Sequence, residues 1–230
     1  MGSERLPRKN ALEIEPGLSL IQQAVNCARH SGVVDDICVS GDEHPALSVA
    51  LFIRRPAELC GPKADIAHAV DHATEEMERI RKTRYDYVVT LQPAVIARSP
   101  LIVRDLVKGV QAYGAKGGLT MAATHRWIWR VDVCTAKNDW HGGPYPRSQD
   151  GGRTLVEINA VQVASRDVVA AGARWGTPLV SLELPPWAAA LDIDTPEDMT
   201  MARDLWPWAR TRLETWKGRI EPILEVHKCA

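Results

Sequence analysis

Between residues 18 and 114 the chain alternates stretches of helical period with short apolar runs, and few folds accept that alternation. "LSLIQQAVNCARHSG" (18–32) places Leu20, Ile21, Ala24, Val25 and Ala28 at helical intervals and stops at Gly32. "DDICVS" (35–40) is a short run of strand type. "DIAHAVDHATEEMERIRK" (65–82) reads as a helix with a charged outer face, and "YDYVVTLQP" (85–93) as a buried strand ending at Pro93. "SPLIVRDLVKGVQAYG" (99–114) reads as a helix with proline near its first turn and glycine at its end. Helix, strand, helix, strand, helix predicts a doubly wound α/β fold around a mostly parallel sheet.

Beyond Gly117-Gly118 the pattern changes. "LTMAATHRWIWRVDV" (119–133) is strand-like, and the 21 residues "CTAKNDWHGGPYPRSQDGGRT" that follow carry no periodicity. Such a stretch inside a compact domain is usually functional or mobile. "LVEINAVQVA" (155–164) and "PLVSLEL" (178–184) are strands. "TPEDMTMARDLWPWARTRLETW" (195–216) is a closing helix with Thr195 as N-cap, Pro196 at its first position and two acids in its first turn. No linker or repeat divides the 230 residues, so a single domain is expected, with a small β excursion and a lid around 119–164.

The formal net charge of −1 gives no global field toward nucleic acid or an anionic membrane, so any anion site must be local. Charges break every apolar run well before the length of a membrane span. No apolar segment of the secretory type follows the basic start. The five cysteines include no C-x-x-C pair, which fits reduced thiols in a cytoplasm.

Five stretches have the residue types for chemistry. In "LDIDTPEDM" (191–199), Asp192 and Asp194 lie two apart in an extended segment and point to one face. Two such carboxylates repel unless a cation lies between them, and Mg²⁺ accepts one or two carboxylates plus phosphate oxygens. A solvated capping turn explains the same residues. "SERLPRKN" (3–10) carries Arg5, Arg8 and Lys9, which suit phosphates; an exposed basic terminus is the plain alternative. "RRPAEL" (54–59) and "LQP" (91–93) join Arg55 and Gln92 to proline-stiffened turns, which surface loops explain as well, and "PYPRSQD" (144–150) adds Arg147 and Gln149. His68 and His72 are four apart on a helix without a visible third ligand, so a solvated helix face explains them better than a metal. Core packing explains most of the eight tryptophans.

Taken in order, these stretches resemble the acylneuraminate cytidylyltransferases (CMP-sialic acid synthetases). That family has an opening strand running into "PARGGS", then "K-x-LP-x-KN", "RPAEL", "LQPTSPLR", an Arg/Gln segment before "NGAIYI", and finally "DIDTPEDL". Here the matching stretches are "SERLPRKN", "RRPAELCGPKADIAHAV", "LQPAVIAR", "PRSQD…EINAVQVA" and "LDIDTPEDMTMARDL", over about residues 3–205. The resemblance implies a nucleotidyltransferase, usually a homodimer, joining CMP from CTP to the hydroxyl of an acidic sugar such as a sialic acid, with release of pyrophosphate. It places Lys9, Asn10 and Arg5 at the nucleotide and its phosphates, and Arg55 and Ala64 beside the cytidine. Gln92 and Arg98 belong to the acceptor motif, Arg147 and Gln149 reach in from the lid, and Asp192 with Asp194 holds Mg²⁺. Lys9, Arg147 and Asp194 would be the catalytic set. Such a reaction is positioning plus neutralisation of the charge that builds on the leaving pyrophosphate.

Three departures bear on this expectation. "AVIAR" stands where the family has "TSPLR", replacing two hydroxyls with Ala94 and Val95, so a different acid such as a phosphonate becomes an alternative acceptor. Ala160 replaces the glycine of "NGA" and is expected to narrow the substrate space. The family's opening strand, with its "PAR" arginine, is missing before "SERLPRKN". Burying four or five aliphatic side chains contributes roughly 10 kcal/mol, against about 5–15 kcal/mol for a whole domain. The expectation is a true start upstream of Met1, encoding that strand. The rival is a non-catalytic nucleotide-sugar-binding relative.

Overall fold

The computed structural model describes residues 6–43, 50–61, 64–124, 129–131, 136–138, 147 and 154–225. In chain order the elements are β1 (Glu13–Glu15), β2 (Leu18–Ser19), α1 (Leu20–Ser31), β3 (Cys38–Gly41), β4 (Leu51–Arg54), α2 (Ile66–Arg81), β5 (Tyr87–Thr90) and α3 (Pro100–Ala112). They continue with β6 (Gly117–Thr124), β7 (Trp129–Val131), β8 (Ala136–Asn138), β9 (Thr154–Ser165), α4 (Arg166–Ala170), β10 (Leu179–Leu184), α5 (Pro196–Glu214) and β11 (Ile220–Ile223).

The helix starts are written locally. Ser19 Oγ accepts Gln22 N–H at 3.2 Å while Gln22 Oε1 accepts Ser19 N–H at 2.7 Å, a capping box that starts α1. Asp65 Oδ1 accepts Ala67 N–H at 2.8 Å and starts α2. Ser99 caps α3, with Pro100 at its first position.

The main sheet has the order β11-β10-β6-β9-β5. β10 is parallel to β6, whereas β9 is antiparallel to both of its neighbours, so β5, β6 and β10 run one way. β7 and β8 form an antiparallel pair of their own and precede β9 in chain order. Gly118 lies within β6 under α3, where a Cβ would come within 2.5 Å of Val110 Cγ2. The strand therefore begins two residues before its apolar run.

Alternating side chains send the sheet into two helical layers. Leu20 of α1, Leu106 and Val110 of α3, Val163 of β9, Leu182 of β10 and Trp206 of α5 share one core. On the opposite face Ala164 of β9 packs with Val168 and Val169 of α4 and with Val70 of α2. Consecutive Val163 and Ala164 thus serve opposite layers, as the strand period requires. Among the described residues, no helix is long and apolar enough to cross a membrane.

The parallel pair β3–β4 stands apart from the main sheet. Among the described residues β3 pairs with β4 alone and β5 with β9 alone, and all residues of β3 and β5 are half-buried. Strands inside a doubly wound sheet are normally buried on both faces. Tyr85 Oη donates to Asp36 Oδ2 at 2.9 Å, so side chains rather than a backbone ladder join the approaches to β3 and β5. The family's opening strand is not among the described residues.

Candidate active site

The basic turn at the start meets the acidic couplet near the end. Arg8 adopts the left-handed conformation (φ 55) and turns the chain into a short 3-10 helix, Lys9–Ala11. Lys9 Nζ then donates to Asp194 Oδ1 at 2.9 Å and to Ile193 O at 3.0 Å, across 185 positions of sequence. Asn10 lies half-buried in the same turn. Arg8 reaches outward, 3.8 Å from Glu43 Oε2, with both side chains largely exposed.

Helix capping at α5 is taken by other groups. Asp198 Oδ2 accepts Thr195 N–H at 2.8 Å and Asp194 N–H at 3.0 Å, while Thr195 Oγ1 accepts Asp198 N–H at 3.2 Å. These bonds hold the Asp198 carboxyl below its ordinary value. Asp194 is therefore not the cap, and its carboxylate is turned to Lys9. Ile193 is fully buried between exposed Asp192 and half-buried Asp194, so the two carboxylates leave the core on the same side. A couplet of one exposed and one half-buried carboxylate has the donor chemistry of a site for a hard divalent ion that takes its remaining oxygens from phosphate and water. Among the described residues no group of three or more His, Cys, Asp or Glu side chains gathers as a metal cage.

A buried arginine holds the loop after β5 against this couplet. Arg98 is 1% exposed, and Nε donates to Gln23 Oε1 at 2.9 Å. Its Nη1 donates to Gln92 O at 2.7 Å and Ala160 O at 3.1 Å, and Nη2 to Pro93 O at 3.3 Å. Burial pushes the guanidinium down to about 10, leaving it charged at neutral pH. Arg98 was expected to bind substrate with the rest of its motif; the structure places its donors on protein carbonyls and Gln23, away from solvent. Its bond to Gln92 is to the backbone carbonyl.

The loop itself is paired with the couplet. Ile193 N–H donates to Ala94 O at 3.1 Å, Ile96 N–H to Leu191 O at 3.0 Å, and Val95 bridges to Asp192. Ala94 and Val95 are 7% and 2% exposed, so apolar side chains suit both positions. Ala160 is fully buried with its carbonyl on Arg98, and its methyl belongs to the core. The expectation that Ala160 narrows the substrate space is corrected on that ground.

Arg55 follows β4 and is held by Ser40, with Nε on Oγ at 2.9 Å and Nη2 on the carbonyl at 3.1 Å. Burial lowers its basicity. Ala64 is half-buried just before α2, and Arg147 is exposed. Arg5 and Gln149 lie outside the described residues. Lys9, Asp194 and, through the paired loop, Asp192 and the Gln92 backbone are brought together; no direct bond joins Arg55 to that group among the described residues.

Sequence reasoning missed two supporting residues. Thr120 is fully buried in β6, opposite an irregularity where β9 runs from Gln162 to Glu157 while β6 advances from Leu119 to Met121. Its Oγ1 donates to Ile158 O at 2.5 Å and accepts Val161 N–H at 3.2 Å, which pins the bulge that carries Asn159 and Ala160. Gln23 anchors Arg98 from α1. Both are polar side chains among apolar neighbours, and that is the signal that could have found them.

Solved structures share this architecture. The chain superposes on a CMP:2-keto-3-deoxy-manno-octonic acid synthetase complexed with CTP with a TM-score of 0.62 at 19% identity, over 90% of this chain and 95% of that one. It superposes on 2-C-methyl-D-erythritol 4-phosphate cytidylyltransferase from Thermus thermophilus with a TM-score of 0.55 at 16% identity, over 88% and 95%. At these identities the likeness concerns the fold, which is of the nucleotidyltransferase class. A family model described as Cytidylyltransferase matches residues 1–117, and the chain belongs to that family. The pseudaminic acid cytidylyltransferase of Campylobacter jejuni subsp. jejuni serotype O:2 is 32% identical over 119 residues, 49% of this chain and 47% of the relative. Its counterpart in serotype O:23/36 is 33% identical over the same length and shares. The chain thus spans about half the length of the curated relatives it matches.

Proposed function

We propose that the chain transfers CMP from CTP to a hydroxyl of an acidic sugar, a nonulosonic acid of the sialic or pseudaminic type, and releases pyrophosphate. The observation that carries this is the 2.9 Å contact between Lys9 and Asp194, which joins the first and last of the stretches that match the family pattern. Lys9, with Asn10 beside it, binds the nucleotide phosphates. Asp192 and Asp194 hold Mg²⁺, which when bound neutralises charge at the phosphates. Arg55 and Ala64 face the cytidine, Gln92 faces the acceptor, and Arg5, Arg147 and Gln149 approach the phosphates and acceptor from the opening segment and the lid. A homodimer is part of the proposal, since the family resemblance implies one.

The test is pyrophosphate release from CTP with and without Mg²⁺, over a panel of pseudaminic acid, N-acetylneuraminic acid, 3-deoxy-manno-octulosonic acid and a phosphonate. Release with a sugar acid alone supports the proposal. Release with the phosphonate alone redirects the acceptor class. CTP binding without release from any acceptor identifies a non-catalytic relative.

A further inference from the structure

Between α2 and α4 the sheet presents a small cleft, with room for about one water molecule, and Thr90, Gln92, Gln162 and Arg174 lie on its wall beside Ala67 and Val70. The strand period explains the polar side: Val161 and Val163 of β9 enter the core under α3, and Gln162 between them faces the cleft. Gln162 Nε2 donates to Asn159 Oδ1 at 3.0 Å and to Glu157 Oε1 at 3.1 Å. Arg174 Nη2 donates to the same Asn159 oxygen at 2.9 Å. Two donors on one oxygen fix the Asn159 amide and seat the guanidinium.

The two arginines near α4 differ in their counter-charges. Arg166 is neutralised by Asp71 at 2.9 Å and Glu78 at 3.0 Å. Arg166 is buried and Arg174 half-buried, but among the described residues the hydrogen bond of Arg174 goes to a neutral amide and no carboxylate lies within ion-pair distance. A guanidinium has five donors in a planar fork, and a single bond to Asn159 leaves most of them for a carboxylate. Gln92 adds a side-chain amide that bonds no described residue, on a backbone held by Arg98. The loop that begins at Gln92 also carries Ala94, whose carbonyl takes Ile193 N–H at 3.1 Å, so the cleft adjoins the segment bearing the Asp192–Asp194 couplet.

We propose that Arg174, seated by Asn159 and Gln162, binds the carboxylate of the acceptor, with Gln92 bonding the same molecule from the end of β5. The role of Arg174 rests on the acidic-acceptor reading above. Thr120 and Arg98 are then positioning residues, because they pin the bulge that holds Asn159 and the loop that holds Gln92.

The experiment uses the full chain with CTP and Mg²⁺, and two probes: pseudaminic acid and its methyl ester. Losing a charge-assisted bond pair predicts that Arg174→Met raises the KM for the acid by about 10- to 100-fold. The KM for CTP and the melting temperature stay at wild-type values, the ester is used equally by both proteins, and Arg174→Lys recovers part of the loss. An unchanged KM for the acid in Arg174→Met, with wild type active, overturns the subsite alone. So does an equal loss for acid and ester, which indicates a structural role. If wild type turns over no sugar acid at all, the acidic-acceptor reading falls and the subsite with it.

Discussion

Asp194→Asn separates the site from the scaffold. The side chain is 39% exposed and its partner Lys9 17% exposed. Asparagine keeps the shape and an Oδ1 that still accepts Lys9 Nζ, while Lys9 retains its bond to Ile193 O at 3.0 Å. What is lost is one unit of charge in a solvent-screened pair, and such pairs contribute about 0–1 kcal/mol. In a domain of this size that amounts to a fall of at most about 2–4 °C in melting temperature. The capping of α5 is untouched, because Asp198 and Thr195 supply it. Catalysis is expected to respond on another scale. Removing one group that stabilises developing charge typically costs about 10²–10³ in turnover, and Asp194 would act through the metal it helps to hold, as half of the proposed couplet. Initial rates of pyrophosphate release across a Mg²⁺ titration, with thermal melts on the same preparations, measure both quantities. The expected variant melts like wild type and turns over at least about a hundredfold more slowly at every Mg²⁺ concentration. Wild-type turnover in this variant refutes the metal assignment. A melting temperature lower by tens of degrees refutes the claim that the Lys9–Asp194 contact is functional rather than structural.

Arg98→Met leaves Pro93 O, Ala160 O and Gln23 Oε1 without the bonds Arg98 makes to them, a loss of about 3–5 kcal/mol after relief of the buried charge. Urea denaturation measures it, and a change below about 1 kcal/mol contradicts the clamp. Burial pushes the Cys27 and Cys38 thiols up to about 11. At pH 8 only about one thiol in a thousand is then thiolate, so iodoacetamide labels both far more slowly in the native protein than in urea. Rapid native labelling at either residue contradicts its burial.

The helices were legible because their signals are local. Ser19 with Gln22, Asp65, Ser99 with Pro100, and Thr195 with Pro196 each satisfy backbone donors within three residues, and such pairs are read directly along the chain. The site motifs were legible as a set because their order is specific. Short strands were less so: β4 and β11 have four residues each, too few to establish a period, and the direction of β9 is invisible in its apolar run. A charged residue such as Arg98 at the end of a binding motif suggests a ligand, whereas here carbonyls from the loop after β5 and from β9, with Gln23 of α1, satisfy it inside the core.

By itself the chain's order of residues determined the α/β class, the helix boundaries and the chemical types available, since those depend on periodicity and on bonds between near neighbours. Tertiary structure alone decided that Lys9 meets Asp194, that Asp198 rather than Asp194 caps α5, and that Arg174 stands half-buried on Asn159 without a described acid. Each of these is a contact or competition between groups whose separation is set by the packing of the sheet and its two helical layers, and no local rule carries that distance.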